Sequence, residues 1–282
     1  MQRVLSTYRF VRHPMTPAVL EGIAQAGIAS IEIFCASSHF SYRDAASVRE
    51  LAGALEQYRI QLHSLHAPTE RNSDEGRESD VSISDPERIR RVEAVDEVKR
   101  ALEVAERIPF RYLIQHLGTG RQAADPRKMD AAFNSLEHLA AFAKERGVTI
   151  AIENTPNELG SPASLQQFVK ETHLHDLRFC FDIGHAHLET GVEAGFDLMR
   201  DRVATTHLHD NHGDNDEHLL PYEGSIDWDA ALATLASAPE PLPFVLELKE
   251  QAPGAPALDQ IRAAFDKLEK RLDEKGVRSA RD

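Results

Sequence analysis

The stretch SISDPERIRRVEAVDEVKRALEVAERIPFRYLIQH, residues 82–116, contains one complete helix-to-strand unit. Asp85 can cap a helix, Pro86 fits the first helical position, and apolar residues then recur at helical spacing up to Ile108. The run at 111–116 that follows has the length and composition of a buried strand. The stretch therefore predicts an amphipathic helix that leads directly into a strand.

The same alternation continues along the rest of the chain. Short β-branched or apolar runs alternate with longer amphipathic ones, which is the pattern of repeated βα units on a parallel sheet. The eight predicted strands are residues 3–7, 30–35, 60–66, 111–116, 148–153, 178–182, 203–207 and 243–247. Eight such units in 282 residues predict an α/β protein with a single (β/α)8 TIM barrel. No linker or composition shift divides the sequence, so we expect one domain over residues 1–282.

Composition narrows the class of protein. A hydrophobic content of 41% is enough for a sizeable core. The formal charge of −14 disfavours a broad nucleic-acid footprint and an anionic membrane surface. Cys35 and Cys180 lack CxxC spacing, and we expect buried thiols in a reducing compartment. No apolar run reaches the length of a membrane span and no leader peptide is recognisable, so we expect a cytoplasmic protein.

The most polar part of the chain is THLHDNHGDNDEH, residues 206–218, with four histidines and four acidic residues in thirteen positions. A core element cannot hold so many ionisable groups unless partners or a metal ion offset their lost hydration. Imidazole and carboxylate groups together are the ligands of zinc, manganese and similar ions. On this stretch alone, a solvated loop and a metal site both remain open.

Further potential ligands lie at or just beyond the ends of six consecutive predicted strands. They are His66, His116, Glu153, Asp182 with His185, His207 with Asp216 and His218 in its loop, and Glu247. Any one of them could be an ordinary polar residue at a strand end. A (β/α)8 barrel, however, directs all six strand ends at one central cavity. The set therefore predicts a metal site.

Other polar residues near these strand ends are assigned to roles outside the metal site. Strand alternation turns His63 away from the cavity that His66 faces, so we expect it between the barrel and a helix. His209 shares the inward face with His207 and is assigned to substrate contact. Glu158 and Lys249 have the same assignment, with a solvated surface position as the alternative.

Three segments resemble the xylose isomerase-like TIM-barrel superfamily. They are IAIENTP at 150–156, CFDIGHAHLETG at 180–191 and HLHDNHGDNDEHLLPYEGSIDW at 207–228. The superfamily includes sugar and sugar-phosphate isomerases and epimerases, related dehydratases, and AP endonucleases similar to endonuclease IV. One departure is that the relatives commonly read PxGEG where this chain reads LPYEG, with Tyr222 in place of a glycine.

The resemblance implies a divalent-metal-dependent isomerase or epimerase, or a related dehydratase. In those branches one ion is held by a Glu, an Asp, a His and a Glu, which match Glu153, Asp182, His207 and Glu247. The expected substrate is a small sugar, sugar phosphate or other polyhydroxy carbonyl compound that reacts through a metal-stabilised enolate. Glu153 and Glu247 are the expected base and acid. The expected cofactor is one Mn, Zn, Mg or Co ion, with up to three allowed, and a homo-oligomer is compatible with this assignment.

The endonuclease branch provides the alternative function, a zinc-dependent phosphodiesterase that acts at abasic sites. It uses three zinc ions, and its further ligands match His66, His116, His185, Asp216 and His218. The acidic segments at 70–80 and 210–217 would repel phosphate groups unless metal ions neutralised them, so nucleic acid is the less favoured partner. A noncatalytic metal-binding barrel is the third hypothesis.

Overall fold

The computed structural model describes residues 1–72, 78–118, 123, 125–250 and 257–274. Its strands are β1 (Arg3–Ser6), β2 (Ser30–Phe34), β3 (Gln61–His66), β4 (Glu70–Asn72), β5 (Glu78–Asp80), β6 (Tyr112–Gln115), β7 (Thr149–Glu153), β8 (Arg178–Asp182), β9 (Val203–His207) and β10 (Phe244–Leu246). Its α-helices are α1 (Pro17–Gln25), α2 (Ala45–Tyr58), α3 (Arg88–Glu103), α4 (Pro126–Lys144), α5 (Pro162–Thr172), α6 (Ile183–Leu188), α7 (Val192–Met199), α8 (Trp228–Ala236) and α9 (Leu258–Glu274).

Eight of these strands form one parallel sheet in the order β10-β1-β2-β3-β6-β7-β8-β9. The two outer strands meet through a parallel bridge between Leu208 and Leu246, where the Leu208 N–H donates to the Val245 carbonyl over 2.8 Å. The sheet thus closes, and the predicted (β/α)8 barrel is confirmed. Every end of a barrel strand lies within one residue of its predicted position.

Helix α3 begins two residues later than the sequence predicts. Asp85 accepts a hydrogen bond from the Glu87 N–H over 2.8 Å, and its own N–H donates to the Ser82 carbonyl over 3.3 Å. Asp85 and Pro86 therefore belong to the turn before the helix, and Glu87 takes the N-cap position. The Asp85 carboxylate thus accepts from an amide of that turn, before the first residue of the helix.

Most of the apolar core lies between the barrel and the helices that surround it. A smaller cluster of Tyr112, Ile114, Ala151 and Cys180 fills part of the barrel interior. Cys35 and Cys180 are both buried free thiols, as the sequence predicts. Toward the carboxyl ends of the strands, the side chains inside the barrel are polar. Buried polar side chains need partners, so this end of the barrel is the candidate functional site.

His63 points into the barrel, contrary to the sequence prediction. The register between β2 and β3 pairs Ile31 with Leu62 but Glu32 with Ser64, so His63 is an extra residue in a bulge. A bulge interrupts the alternation of side chains, and a prediction that counts back from His66 then gives the wrong face. The His63 ring is buried, and its Nε2 lies 3.3 Å from the Thr205 hydroxyl across the barrel on β9.

The acidic segment at 70–80 contains the antiparallel pair of β4 and β5. Residues 73–77 of this segment lie outside the described residues. Within the described ranges, none of the helices combines the length and the apolar character that a membrane crossing requires.

Candidate metal centre

A central group of four side chains collects at the carboxyl ends of β7, β8, β9 and β10. It consists of Glu153, Asp182, His207 and Glu247, each of which offers one ligand atom within 4.8 Å of the other three. The Nδ1 atom of His207 lies 3.2 Å from Glu153 Oε1, 3.5 Å from Glu247 Oε2 and 3.9 Å from Asp182 Oδ2. All four side chains are buried. We call this set the central site.

A second group shares Glu153 with the central site. His66 Nε2 lies 3.4 Å and His116 Nε2 lies 3.1 Å from the Oε2 atom of Glu153. The other oxygen of the same carboxylate faces His207. Glu153 thus connects two adjacent sets of ligands, and we call His66, His116 and Glu153 the flanking site.

A third group adjoins Asp182. Asp216 Oδ2 lies 2.9 Å from His218 Nε2, and Asp216 Oδ1 lies 3.7 Å from His185 Nε2 and 3.8 Å from His209 Nε2. These four residues offer ligand atoms within 4.8 Å of one another. We call them the loop site, because Asp216 and His218 come from the loop after β9.

Hydrogen bonds fix which ring nitrogen each histidine presents to these sites. The Nδ1 atoms of His66, His185 and His218 lie 2.8 to 2.9 Å from the backbone carbonyls of Ala67, Asn154 and Glu247, respectively. A carbonyl only accepts, so Nδ1 carries the proton and Nε2 has a free lone pair. In His207 the arrangement is reversed, since Nε2 donates to Glu32 and Nδ1 faces the central site. Each ring therefore directs a potential ligand atom at a site.

Three of the buried polar atoms without a hydrogen-bond partner are potential metal ligands of these sites. Among the described residues, Glu153 Oε1, His207 Nδ1 and Asp216 Oδ1 are inaccessible to solvent and make no hydrogen bond. Leaving such atoms without a partner is costly in a folded protein. Oxygen and imidazole nitrogen atoms that converge at this spacing suit zinc, manganese or a similar divalent ion. The residues present thus fit the predicted metal.

The pKa values of the two buried glutamates of the central site are pushed in opposite directions. Burial raises the pKa of Glu247 to about 7, with the nearby Glu153 carboxylate adding to the shift against the opposing effect of His207. Burial also acts to raise the pKa of Glu153, but His207 and His116 outweigh it and hold that pKa well below its ordinary value. Without a bound ion, the two carboxyl groups therefore hold their protons with different affinities.

The turn from β8 into α6 places Asp182 and His185 side by side. Asp182 caps this short helix and accepts the His185 N–H over 2.7 Å. Gly184 leaves room for the buried His209 ring, because a Cβ atom at position 184 would lie 1.9 Å from His209 Cε1. His209 in turn places its Nε2 3.1 Å from Asp182. Glycine in the sequence CFDIGH is thus required by close packing against the site.

Asp210 organises the loop that carries Asp216 and His218, and the sequence analysis does not single it out. Its fully buried carboxylate accepts the Trp228 indole N–H over 2.7 Å and the Tyr222 backbone N–H over 3.0 Å. The Asp210 and Leu219 backbones exchange two hydrogen bonds of 2.9 Å. The chain between Asp210 and Leu219 therefore reverses direction, which brings Asp216 and His218 back to the barrel mouth.

The tyrosine in LPYEG keeps the backbone that a glycine would favour. Tyr222 has φ of 74°, in the left-handed region, at a cost of about 1 to 2 kcal/mol for a residue with a Cβ atom. Gly224, two residues later, has no such alternative, because a Cβ atom there would lie 2.3 Å from Asp210 Oδ1. The departure from PxGEG thus places a tyrosine in a backbone conformation that favours glycine.

Glu32 is the second residue that the sequence analysis missed. It lies on β2 beneath the central site, fully buried, with Oε1 3.0 Å from His207 Nε2 and Oε2 accepting the Ser64 hydroxyl over 2.7 Å. Cys180 also lies within ligand distance of Glu153 and His207. Both positions are one layer deeper in the barrel than the strand ends, and an inspection of every inward-facing residue on each strand would have found them.

The three residues assigned to substrate contact occupy different environments. His209 is fully buried behind Asp182. Lys249 is partly exposed, and its Nζ lies 2.5 Å from the Asp216 carbonyl and 3.3 Å from Asp216 Oδ2. Glu158 is exposed. Lys249 therefore lies beside the loop site and His209 is part of it. The assignment of all three residues to substrate contact stays a prediction.

Comparison with known proteins identifies the family. The sequence model of the family described as xylose isomerase-like TIM barrel matches residues 20–271. The chain belongs to this family. The uncharacterized protein MJ1311 of Methanocaldococcus jannaschii is 27% identical to it over 242 residues, which cover 82% of this chain and 78% of that protein. The uncharacterized protein MJ1614 of the same organism is 32% identical over 169 residues, which cover 59% of this chain and 62% of that protein.

Solved structures with the same architecture include two epimerase-type proteins and one protein with a bound zinc atom. A D-tagatose 3-epimerase-like protein has a TM-score of 0.79 at 23% identity, with 98% of this chain and all of that chain covered. An L-ribulose 3-epimerase has a TM-score of 0.77 at 16% identity, with 99% and 98% covered. The IolI protein with a bound zinc atom has a TM-score of 0.77 at 17% identity, with 98% and 99% covered. At these identities the likeness shows the fold that this family member shares with them.

Proposed function

We propose that the protein is a divalent-metal-dependent isomerase or epimerase that acts on a small polyhydroxy carbonyl compound. The observation that carries the proposal is the central site, where three carboxylates and one imidazole converge on one point. A metal ion held by Glu153, Asp182, His207 and Glu247 would act as a Lewis acid on the carbonyl and the neighbouring hydroxyl of a substrate. The four residues would thus both hold the ion and surround the reacting carbon.

The protein residues would then move the proton. Removal of a proton next to a carbonyl needs a base, and its return needs an acid. We assign these two roles to Glu153 and Glu247, since each offers a carboxylate oxygen at the central site. Glu153 and Glu247 belong to β7 and the end of β10, with β8 and β9 between them. This separation allows the two carboxyl groups to approach a substrate from different sides.

The structural neighbours add support for a sugar substrate. They include proteins described as a D-tagatose 3-epimerase-like protein and an L-ribulose 3-epimerase. We infer that a ketose, or a ketose phosphate, is the first substrate class to test. The description of IolI with zinc makes zinc, together with manganese, the first ion to supply.

The decisive experiment is solvent exchange at the carbon next to the carbonyl. The protein loaded with Mn²⁺ or Zn²⁺ is incubated in D2O with a panel of ketoses and their phosphates, and proton NMR follows deuterium incorporation. The proposal expects deuterium at C3 or C1 with wild-type protein and none with Glu153→Gln. If the protein with a fully loaded central site incorporated no deuterium into any of these polyhydroxy carbonyl compounds, the proposal would be wrong.

A second candidate function is hydrolysis of phosphodiesters at abasic sites in DNA. The specific observation in its favour is that the flanking site and the loop site both adjoin the central site, so that three groups of ligands lie next to one another. Clustered ions of this kind activate water and stabilise both the attacking and the leaving oxygen. Cleavage of an abasic oligonucleotide by protein loaded with three ions, with no exchange into any ketose, would favour this second candidate.

A further inference from the structure

A cavity of about 1360 Å³ opens at the other end of the barrel, away from the candidate metal centre. All barrel strands run in the same direction, so residues at their first positions surround this end. Arg3, Arg178 and Val203 are the first residues of β1, β8 and β9, and all three line the cavity. The buried His63 ring contributes to its lining. The cavity is therefore a separate feature from the metal centre.

The cavity is rich in arginine although the chain as a whole carries a formal charge of −14. Five arginines line it, Arg3, Arg111, Arg178, Arg200 and Arg202, against three acidic residues, Asp201, Glu240 and Glu269. We call it the arginine cavity. On an acidic protein, such a local excess of positive charge is a fixed field that attracts small anions.

Two of the five arginines are already neutralised. Arg3 donates to Asp266 over 2.7 Å and to Glu269, and Arg200 pairs with Asp197. By contrast, within the described ranges Arg111, Arg178 and Arg202 form no ion pair. The positive charge that is available to a ligand therefore comes from these three side chains, set against the lining carboxylates of Asp201 and Glu240.

The backbone holds two of the available guanidinium groups together. The NH1 atoms of Arg178 and Arg202 both donate to the carbonyl of His175, each over 3.1 Å, and both donate to the carbonyl of Leu177. Their two NH1 atoms can therefore be no further apart than twice that distance. Two like charges held this close repel each other, and an anion placed between them would remove the repulsion.

The third available arginine has a neutral support of another kind. The Arg111 guanidinium lies over the Tyr112 ring, 5.1 Å from its centroid. Its backbone is fixed between two neighbouring strands, because Arg111 N–H donates to the His63 carbonyl and the Arg111 carbonyl accepts from Thr149. The positions of all three arginines are thus set by uncharged groups, and within the described ranges none of the three is held in an ion pair, so their remaining N–H donors are available.

We propose that the arginine cavity binds a small phosphate-bearing anion, a phosphate ester or a polyphosphate. A guanidinium group presents two parallel N–H donors that match the oxygens of a phosphate, and Arg178 and Arg202 offer two such groups side by side. The cavity is larger than one phosphate group, so it has room for a second phosphate or for the organic part of an ester. This site is independent of the proposed metal-dependent reaction.

The test is calorimetric titration of the full-length protein with pyrophosphate, with inorganic phosphate and with citrate, at constant ionic strength. The double variant Arg178→Gln with Arg202→Gln should weaken pyrophosphate binding by at least about tenfold. The matched control is Arg90→Gln with Arg262→Gln, which removes two exposed arginines on α3 and α9 and should leave binding unchanged. Any pyrophosphate bound at the candidate metal centre is common to all three proteins, so the difference reports the arginine cavity.

A separate variant, Arg111→Gln, removes the third arginine and should also weaken pyrophosphate binding. It provides the test if the double variant does not fold. Thermal unfolding of each variant in the absence of ligand establishes that the fold is intact. Equal pyrophosphate affinity in wild type and in folded Arg178→Gln with Arg202→Gln would overturn the proposal. Binding of citrate as tight as that of pyrophosphate would overturn the assignment to phosphate.

Discussion

Glu32 and His207 meet inside the barrel, where the Nε2 atom of His207 lies 3.0 Å from Oε1 and 3.2 Å from Oε2 of Glu32. The contact fixes the proton of His207 on Nε2 and orients Nδ1 toward the central site. A carboxylate in this position also makes the imidazole a stronger ligand. Glu32 is therefore a positioning residue for His207 and does not reach the site itself.

Glu32→Gln should lower the affinity of the central site for Zn²⁺ or Mn²⁺ by about 10-fold to 100-fold, because the neutral amide no longer supports His207. Competition with a chromophoric chelator measures the affinity directly. The control is Glu97→Gln, which alters another buried glutamate that contacts Tyr42 and Arg43 and lies outside the three sites. Unchanged affinity in Glu32→Gln would show that His207 needs no such support.

Glu153→Gln and Glu247→Gln should each abolish turnover, since each removes a charged ligand together with a group that transfers a proton. The measurement is deuterium exchange into a ketose substrate, accompanied by metal analysis of the same samples. Activity within a few-fold of wild type in either variant would remove that residue from the mechanism.

Asp216→Ala combined with His218→Ala should leave the ion at the central site and abolish turnover of the sugar. The change removes the loop site, which we expect to position substrate, and it leaves Glu153, Asp182, His207 and Glu247 intact. Metal stoichiometry and anomalous scattering report the ions, and parallel assays report ketose exchange and cleavage at abasic sites. A stoichiometry reduced by one ion, with loss of abasic-site cleavage, would instead support the phosphodiesterase.

His63→Gln should reduce the acid sensitivity of the fold. Burial lowers the pKa of His63 to about 4, so the folded protein binds this proton less readily than the unfolded chain does. The stability that depends on neutral His63 is present above pH 6.5 and is lost as the pH falls from there toward 4. At the acidic end the loss amounts to about 3 kcal/mol. Urea unfolding at pH 7 and pH 4.5 should show a smaller difference for His63→Gln than for wild type, with exposed His138→Gln as the control. Parallel behaviour of both variants would contradict the prediction.

Gly184→Ala should destabilise the protein by about 1 to 3 kcal/mol, because the added Cβ atom would overlap the buried His209 ring. Gly53→Ala, on the open surface of α2 with no atom within 4 Å of its added Cβ, should stabilise it by about 0.5 to 1 kcal/mol. Denaturant unfolding measures both. A Gly184→Ala protein as stable as Gly53→Ala would mean that His209 has another position available.

The sequence predicts the barrel well because each strand is a short apolar run and each helix carries a periodic face. The proximity of the candidate ligands is also predictable, since Glu153, Asp182 and His207 are the last residues of their strands. It misplaces His63, because a bulge shifts the alternation and nothing in the residue types of β3 marks it. Glu32 is missed for a different reason, since it lies mid-strand and its role depends on His207, which is 175 residues away.

The bridge that closes the barrel lies between the two halves of the central site. Leu208 directly follows His207, and its partner Leu246 directly precedes Glu247, so both ligands flank a seam that depends on few backbone hydrogen bonds. An ion bound to His207 and Glu247 would cross-link the ends of β9 and β10. Metal removal should therefore loosen the barrel first between β9 and β10. Amide hydrogen exchange should then be faster at Leu208 and Glu247 than at the amides between β6 and β7.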